Sequence, residues 1–168
     1  MFIRDATPGD VPSVLPMIAA LAAKHDAWDH DRYGPLDDLM DRYQAWLPVR
    51  AADPRSVFLV AGHDDRRLSG FLVGEAMANI PIYAVREYGF IHDLWVDPKS
   101  RGQGIGRSLT RAALDRFRGM GIEQVRLETA LANDAARRLF GACGFRIATI
   151  DMLVTLGNSG SCTPEGDI

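Results

Sequence analysis

The stretch that decides the fold is Arg101-Gly102-Gln103-Gly104-Ile105-Gly106. It follows a short apolar run, Phe90–Val96, and opens an amphipathic segment, Arg107–Met120. Strand, glycine-rich turn and helix in this order form a site for an anion, because glycine lets the backbone turn tightly and approach a ligand closely. The unpaired N–H groups of the first helical turn point at the anion, and the helix dipole favours negative charge. With Arg101 and Arg107 adding positive charge on either side, the stretch predicts a pyrophosphate site.

Two common pyrophosphate sites contain such a turn, and neither fits this chain. A dinucleotide-binding fold carries its glycine fingerprint in the first strand–helix–strand unit, with an acidic residue about 20 positions further on. Here the glycines come after residue 100 and follow a predicted antiparallel hairpin. A P-loop ends in Gly-Lys-Ser or Gly-Lys-Thr, whereas residues 106–108 are Gly-Arg-Ser. A nucleotide-binding protein of another fold is therefore the weakest hypothesis.

The spacing of apolar and turn residues predicts ten elements in the order β-α-α-β-β-β-α-β-α-β. The predicted strands cover residues 2–6, 56–62, 68–78, 90–96, 124–129 and 145–156. The predicted helices are a run from Thr7 to Ala22 with a kink at Pro16, residues 36–47 ending before Pro48, residues 105–120, and a run from Asn133 to Gly144. An early antiparallel hairpin and a late parallel crossover predict an α/β fold with one mixed sheet and helices on both faces.

Length and composition fit one globular domain. The 168 residues suffice for a hydrophobic core, and 47% hydrophobic and 24% charged residues are ordinary proportions. We expect a single domain over residues 1–156 and a disordered tail over 157–168, which is rich in Gly and polar residues. The net charge of −3, from 19 basic and 22 acidic residues, argues against a nucleic acid partner.

Cysteine usage and the lack of a long apolar run predict the compartment. Cys143 and Cys162 show no metal-ligand spacing, so we expect two free thiols and no metal. No apolar run approaches the roughly 18 residues that span a membrane. Residues 1–5 lack the layout of a signal peptide. We therefore expect a cytoplasmic protein without a membrane partner.

Four segments between residues 94 and 145 share their spacing with a known group of enzymes. They are Leu94-Trp95-Val96-Asp97-Pro98, Arg101-x-x-Gly104-x-Gly106, Asn133-x-x-Ala136-x-x-Leu139-Phe140 and Gly144-Phe145. Together they resemble the core of the GCN5-related N-acetyltransferase (GNAT) superfamily, and the opening Ile3-Arg4-x-Ala6-Thr7-Pro8-x-Asp10 is similar to a frequent start of such enzymes. The resemblance covers roughly residues 2–155. It implies acetyl-CoA as the acyl donor and a primary amine of a small molecule or peptide as the acceptor. Relatives often form dimers, so a homodimer is allowed, although no sequence feature marks an interface.

The resemblance also implies which residues hold acetyl-CoA. The backbone N–H groups of residues 101–106 (Arg101, Gly102, Gln103, Gly104, Ile105 and Gly106), with the charge of Arg107, should bind the pyrophosphate. The backbone of Leu94 and Val96 should pair with the pantetheine arm as an added strand would. An N–H group of Leu94 or Trp95 should polarise the thioester carbonyl, where the strands ending near Val96 and Thr129 separate.

Two residues of the last motif helix have alternative roles. Asn133 either touches the pantetheine arm or simply caps its helix. Phe140 stands where many relatives carry the tyrosine that protonates the leaving thiolate, and phenylalanine has no proton to give. Tyr43, Tyr83, Tyr88 or a water could substitute, while Phe140 packs against the pantetheine arm or in the core. Cys143 is expected to be a structural thiol, because nothing basic is spaced to activate it.

The general base is expected in the strand before the glycines. Acyl transfer needs a neutral amine, and a base or a water chain must take its proton. His92 occupies the place where several relatives carry a glutamate, and histidine titrates near neutrality. Asp93, which alternation assigns to the opposite sheet face, is the second candidate. Either residue could instead have a structural or orienting role.

The acceptor amine is expected to meet the polar and aromatic connection over residues 25–35. Its aspartates favour a cationic amine, which makes Asp29, Asp31 and Tyr33 candidate substrate contacts. The same residues are also compatible with a solvated loop that has a few anchoring aromatic side chains. The leading hypothesis is an N-acetyltransferase that works by direct attack in a ternary complex. The alternative, prompted by Phe140, is a catalytically weak acyl-CoA-binding or regulatory module.

Overall fold

The computed structural model describes residues 1–34, 37–64 and 67–156, which form a five-stranded sheet with helices on both faces. The strands are β1 (Phe2–Asp5), β2 (Ser56–Asp64), β3 (Arg67–Ala78), β4 (Glu87–Val96) and β5 (Val125–Leu127). The helices are α1 (Val11–Trp28), α2 (His30–Tyr33), α3 (Leu39–Ala52), α4 (Ile105–Gly119) and α5 (Asp134–Gly141). The predicted α/β class with a mixed sheet is confirmed. The predicted tail over 157–168, with Cys162, lies outside the described residues.

The sheet order follows the chain order, β1-β2-β3-β4-β5. The first four strands are antiparallel, and β5 joins β4 in parallel after the crossover through α4. The predicted hairpin is confirmed, and β2 and β3 form it. Within the described part of the chain, no helix has both the length and the apolar character that crossing a membrane requires.

The sheet separates two hydrophobic cores. Phe58 and Val60 face the core under α1 and α3, whereas Leu59 and Ala61 face the core under α4. Because β2 is covered on both faces, its sequence is an uninterrupted apolar run rather than an alternating one.

Helix α4 is fixed to the sheet by one apolar stripe. Leu109, Ala113 and Phe117 recur at a spacing of four residues and are fully buried. The Phe117 ring lies directly on β4, where a Cβ added to Gly89 would come within 2.8 Å of it. Burial of one such ring contributes about 1.5–3 kcal/mol. This packing sets the position of the helix that begins at the glycine stretch.

Two predicted helix boundaries are wrong. Helix α3 continues through Pro48 to Ala52, because the packing of the fully buried Leu47 outweighs the one backbone hydrogen bond that proline removes. Residues 25–35 are not a plain connection, since α1 extends to Trp28 and Asp29 then caps α2 by accepting from the Arg32 N–H. Pro16 lies inside α1, and its kink stays a prediction.

The predicted closing strand over 145–156 is also wrong. No strand is formed between residues 128 and 156. The segment has the apolar content of a strand, but β5, the edge strand of the sheet, has only 3 residues and offers few backbone partners. Its side chains stay largely exposed, including Ile147, Met152 and Leu156.

Candidate active site

A cleft opens beside β4 where β4 and β5 stop pairing. The parallel pairing ends at Ile91 with Leu127, earlier than the predicted separation near Val96 and Thr129. Among the described residues, the β5-facing edge of β4 over 92–96 has no strand partner. The cleft has a volume of about 1740 Å³. It is bounded by β4 and the starts of α4 and α5 on one side and by α1, α2 and α3 on the other.

Most of the predicted site residues lie along this cleft. They are Asp31, Tyr33, His92, Asp93, Leu94, Trp95, Val96, Arg101, Gly102, Gly104, Ile105, Gly106, Arg107, Asn133 and Phe140. Gln103 and Asp29 do not belong to the cleft wall, because Gln103 is exposed on the outer side of the turn and Asp29 caps α2.

The glycine turn leads directly into the N-terminus of α4. Gly102 and Gly104 have φ values of 78° and 81°, in the left-handed region, which explains why glycine is needed at both positions. Gly104 is the N-cap of α4, and no side chain caps the helix there. The first-turn N–H groups of α4 are therefore available to an anion. A Cβ added at either glycine would meet nothing within 4 Å, so the space in front of the turn is open.

Arg101 is held against the end of β4. Its guanidinium carbon lies 4.7 Å from the centre of the Trp95 ring, and its Nε donates to the Val96 carbonyl at 3.0 Å. The Trp95 side chain is buried in the core under α1 and α3, so only its backbone faces the predicted ligand path. Arg101 and the exposed Arg107 keep two positive charges beside the turn.

Asn133 and Phe140 lie at the two ends of α5, on the same side of the cleft as α4. The Asn133 side chain accepts a hydrogen bond from the Ala136 N–H at 3.1 Å, so it caps the helix. Phe140 is buried and stacks edge-to-face on Phe145, with ring centres 5.5 Å apart. Cys143 is a half-buried free thiol outside the cleft wall.

A β-bulge reverses the alternation of β4 inside the cleft. Val73 pairs with Asp93 and Gly74 with Ile91, so His92 has no partner on β3. Consequently His92 and Asp93 both face α3, and the prediction that they lie on opposite sheet faces is wrong. A bulge places two successive side chains on one face because two residues then oppose one. Both candidate bases thus reach the same wall of the cleft.

His92 contacts the carboxylate of Glu75 on the side away from the cleft. Its Nε2 lies 2.9 Å from Glu75 Oε1, and Glu75 also forms an ion pair with Arg50. The edges of Trp46 and Phe90 pack against the imidazole, with ring centres 5.3 and 5.0 Å away. These contacts hold the ring in one orientation.

Asp93 is a buried carboxyl group beside His92. It accepts a hydrogen bond from the Tyr43 hydroxyl at 2.9 Å. Burial raises the pKa of Asp93, and the Tyr43 hydrogen bond and nearby His92 offset this only in part. Burial and the Asp93 charge in turn raise the pKa of Tyr43. Both shifts favour the protonated forms of Asp93 and Tyr43, so these two groups hold a proton between β4 and α3.

The far end of the cleft is aromatic and carries several ionic groups. His25 stacks on Tyr33 with ring centres 4.6 Å apart, and burial lowers the pKa of His25. Arg32 of α2 donates to Glu128 at 2.8 Å and to Asp151 at 2.5 Å. Asp31 is exposed at the mouth of the cleft. Arg32 is thus neutralised within the protein, whereas Asp31 faces solvent.

The sequence analysis missed the residues that support the two candidate bases. Glu75 and Arg50 were not considered, and Tyr43 was considered only as a proton donor to the thiolate. One signal was available: Glu75 is a charged residue that directly follows the apolar run 71–74 of a predicted buried strand. Such a residue is rarely buried without a partner.

A family model described as "Acetyltransferase (GNAT) family" matches residues 21–145. The chain is 36% identical over 131 residues to a mycothiol acetyltransferase of Thermobispora bispora, covering 74% of this chain and 41% of that protein. It is 40% identical over 112 residues to a mycothiol acetyltransferase of Sanguibacter keddieii, covering 65% and 35%. The chain thus spans less than half the length of these relatives.

Solved structures share the fold at lower identity. A tetramutant of the BH1408 protein from Bacillus halodurans superposes with a TM-score of 0.79 at 24% identity, covering 93% of this chain and 100% of that one. An acetyltransferase from Clostridium acetobutylicum, solved with acetyl-CoA, has a TM-score of 0.75 at 15% identity and covers 92% and 96%.

Proposed function

The chain belongs to the GNAT family of acetyltransferases, and we propose that it transfers the acetyl group of acetyl-CoA to a primary amine by direct attack in a ternary complex. One observation carries the proposal: the open glycine turn at the start of α4, the open strand edge of β4 and His92 line a single cleft. The turn suits the pyrophosphate of the donor, the strand edge suits its extended pantetheine arm, and the histidine suits an amine that must lose a proton.

The residues fit the phosphate end of acetyl-CoA. The left-handed Gly102 and Gly104 leave open space in front of the turn, which a side chain would occupy. The free N–H groups at the start of α4 and the charges of Arg101 and Arg107 would hold the pyrophosphate. Binding there leaves the pantetheine arm of the donor to lie along β4.

The open edge of β4 would hold the pantetheine arm. Backbone groups of Leu94 and the Val96 N–H are available for strand-like hydrogen bonds, since β5 has already separated from β4. An N–H group of Leu94 or Trp95 would donate to the thioester oxygen. Removing one such donor typically lowers kcat about 10²–10³-fold, which measures how strongly it stabilises developing charge.

His92 is the proposed general base for the amine. It lines the cleft, and the Tyr43 hydrogen bond leaves Asp93 a poorer proton acceptor from the substrate. The amine nitrogen would form the bond to the acetyl carbon, His92 would take the amine proton, and the C–S bond would break to release the CoA thiolate. Asp93 would keep Tyr43 and α3 in place beside the histidine.

The donor of a proton to the thiolate is proposed to be solvent. Tyr83 and Tyr88 pack against Arg126 outside the cleft. Tyr43 lines the cleft, but its hydroxyl donates to Asp93 and its raised pKa makes it a weaker acid. Thiolates are stable enough near neutral pH to leave without a dedicated acid.

The acceptor is proposed to be a small cationic amine. Asp31 is exposed at the cleft mouth, while Arg32 is neutralised by Glu128 and Asp151. Relatives named for mycothiol, a small molecule, favour this over a peptide. Turnover should therefore be sought first with small cationic amines, including mycothiol without its acetyl group.

Calorimetry with acetyl-CoA tests the donor site. We expect Gly104→Asp to abolish binding, because it adds bulk, strain and negative charge to the turn. Gly104→Ala adds the backbone strain without the charge, so it shows how much of the loss each causes. Gly119→Asp, at the far end of the same helix, is the matched control. A folded wild type that does not bind acetyl-CoA would overturn the proposal.

An amine panel with a free-thiol readout tests turnover against the alternative. A catalytically weak acyl-CoA-binding module, suggested by Phe140, predicts tight binding without release of CoA for any amine. In that case Phe140→Tyr should raise turnover by supplying a phenol proton. Release of CoA with an acetylated product in the wild type rules the alternative out.

A further inference from the structure

A chain of charged groups runs behind His92, on the side away from the cleft. Glu75 on β3 contacts His92 with Oε1 and Arg50 of α3 with Oε2. Neither Glu75 nor Arg50 belongs to the cleft wall. The Arg50 guanidinium lies 5.6 Å from the centre of the Trp46 ring, which also packs on His92. The three side chains and the imidazole therefore form one half-buried unit.

The geometry of this unit decides where the imidazole proton resides. An ionised carboxylate only accepts hydrogen bonds, so the His92 nitrogen that faces Glu75 must carry a hydrogen. That nitrogen is Nε2. In neutral His92 the lone pair is then on Nδ1. No hydrogen bond to Nδ1 is formed within residues 1–34, 37–64 and 67–156.

We infer that Glu75, oriented by Arg50, is a positioning residue that fixes the Nε2–H tautomer of His92 and thereby makes Nδ1 the atom that accepts the proton of the amine. This inference rests on the proposed function for its catalytic part only. The tautomer itself is a property of the free protein and can be measured without any substrate.

Arg50 makes the Glu75→Gln variant informative. Arg50 has only hydrogen-bond donors, so it holds the amide oxygen of the new glutamine on its own side. The amide NH₂ group is then turned toward His92 and donates to Nε2. His92 must respond by moving its hydrogen to Nδ1, which removes the lone pair from the proposed acceptor atom. The substitution changes one atom type and no volume.

The first test is ¹⁵N NMR of the ring nitrogens of His92 in the free protein at a pH where the ring is neutral. We expect the Nε2–H tautomer in the wild type and the Nδ1–H tautomer in Glu75→Gln. Glu87→Gln, which alters a Glu–Arg pair at the surface, should leave His92 unchanged. A wild type in the Nδ1–H form, or a variant that keeps the wild-type tautomer, would overturn the inference.

The second test is steady-state kinetics with an amine that the wild type acetylates. We expect kcat of Glu75→Gln to fall about 100-fold or more, within the range of general base catalysis, with an unchanged Kd for acetyl-CoA. Adding Arg50→Met frees the amide to rotate, so kcat and the Nε2–H tautomer should partly return. A switched tautomer with an unchanged kcat would exclude His92 as the base. If no amine is acetylated, the proposed function fails while the NMR result still decides the tautomer.

Discussion

Asp10 and Asp93 are carboxyl groups with similar exposed fractions, yet their pKa values are shifted in opposite directions. Asp10, at the start of α1, is 9% exposed, and Asp93, in the cleft, is 8% exposed. Arg4 donates two hydrogen bonds to Asp10, which lowers its pKa to about 2. Asp93 receives one hydrogen bond, from Tyr43, and burial raises its pKa.

The difference shows that a small exposed area alone does not set the charge of a carboxyl group: the hydrogen bonds from Arg4 outweigh burial at Asp10, whereas burial outweighs the Tyr43 hydrogen bond at Asp93. Asp10 also accepts hydrogen bonds from the Thr7 N–H and hydroxyl groups, so donors from both Arg4 and Thr7 stabilise its negative charge. Asp93 is only partly compensated, and it lies beside the histidine that is proposed to accept a proton. The first group stabilises the protein, and the second is kept at a cost to stability.

The largest expected effect is that of Asp10→Asn on stability. Linkage predicts a loss of about 2 kcal/mol at pH 7, because the folded pKa of about 2 lies below the ordinary value of 3.8. This contribution is present above pH 3.8 and is lost as the pH falls through 2. Urea unfolding at several pH values measures it, with Asn in place of the exposed Asp41 as control. A loss that did not depend on pH would contradict the comparison.

Tyr43→Phe should have the next largest effect. It removes the hydroxyl donor from a buried carboxylate, and we expect a loss of about 1 kcal/mol. The loss is limited because Asp93 can take up a proton. The same change in an Asp93→Asn background should be smaller, since no charge is then left unpaired. Thermal unfolding measures both, and the exposed Tyr83→Phe should show no change.

The smallest effect is expected for Asp93→Asn, and its sign is opposite. The folded pKa of Asp93 lies above the ordinary 3.8, so the wild type loses stability as the pH rises from 3.8 through that raised value. The Asn variant has no such loss, and its relative stability should increase over the same range. The net gain is small because the buried amide lacks a partner for its N–H groups. If the stability of Asp93→Asn relative to the wild type fell with rising pH, the folded pKa of Asp93 would be lowered, as that of Asp10 is.

Backbone features of the site were predictable from the sequence. The turn over 101–106 needs left-handed glycines, and Gly102 and Gly104 have that conformation. Thr7, Pro8 and Asp10 predicted the start of the first helix because their roles are local. Such features depend on residues within a few positions of one another, which a sequence displays directly.

The supporting side chains could not be predicted in the same way. Glu75 and His92 are 17 positions apart, and Tyr43 and Asp93 are 50 apart. The bulge hid these contacts further, because residues 89, 91, 93 and 95 of β4 are all buried. Burial therefore alternates without interruption, although the face on which it occurs changes at the bulge.

The bulge divides β4 into two halves whose odd-numbered side chains face opposite sides of the sheet. Before it, odd-numbered residues such as Ile91 face α4; after it, odd-numbered Trp95 faces α1 and α3. Deleting His92 would close the bulge and bring the halves into phase. The pairs Gly74–Ile91 and Val73–Asp93 would then follow one another directly, and Leu94 and Val96 would still face α4. The extra residue thus adds nothing to the pairing of this strand, and it is the residue proposed to accept the proton.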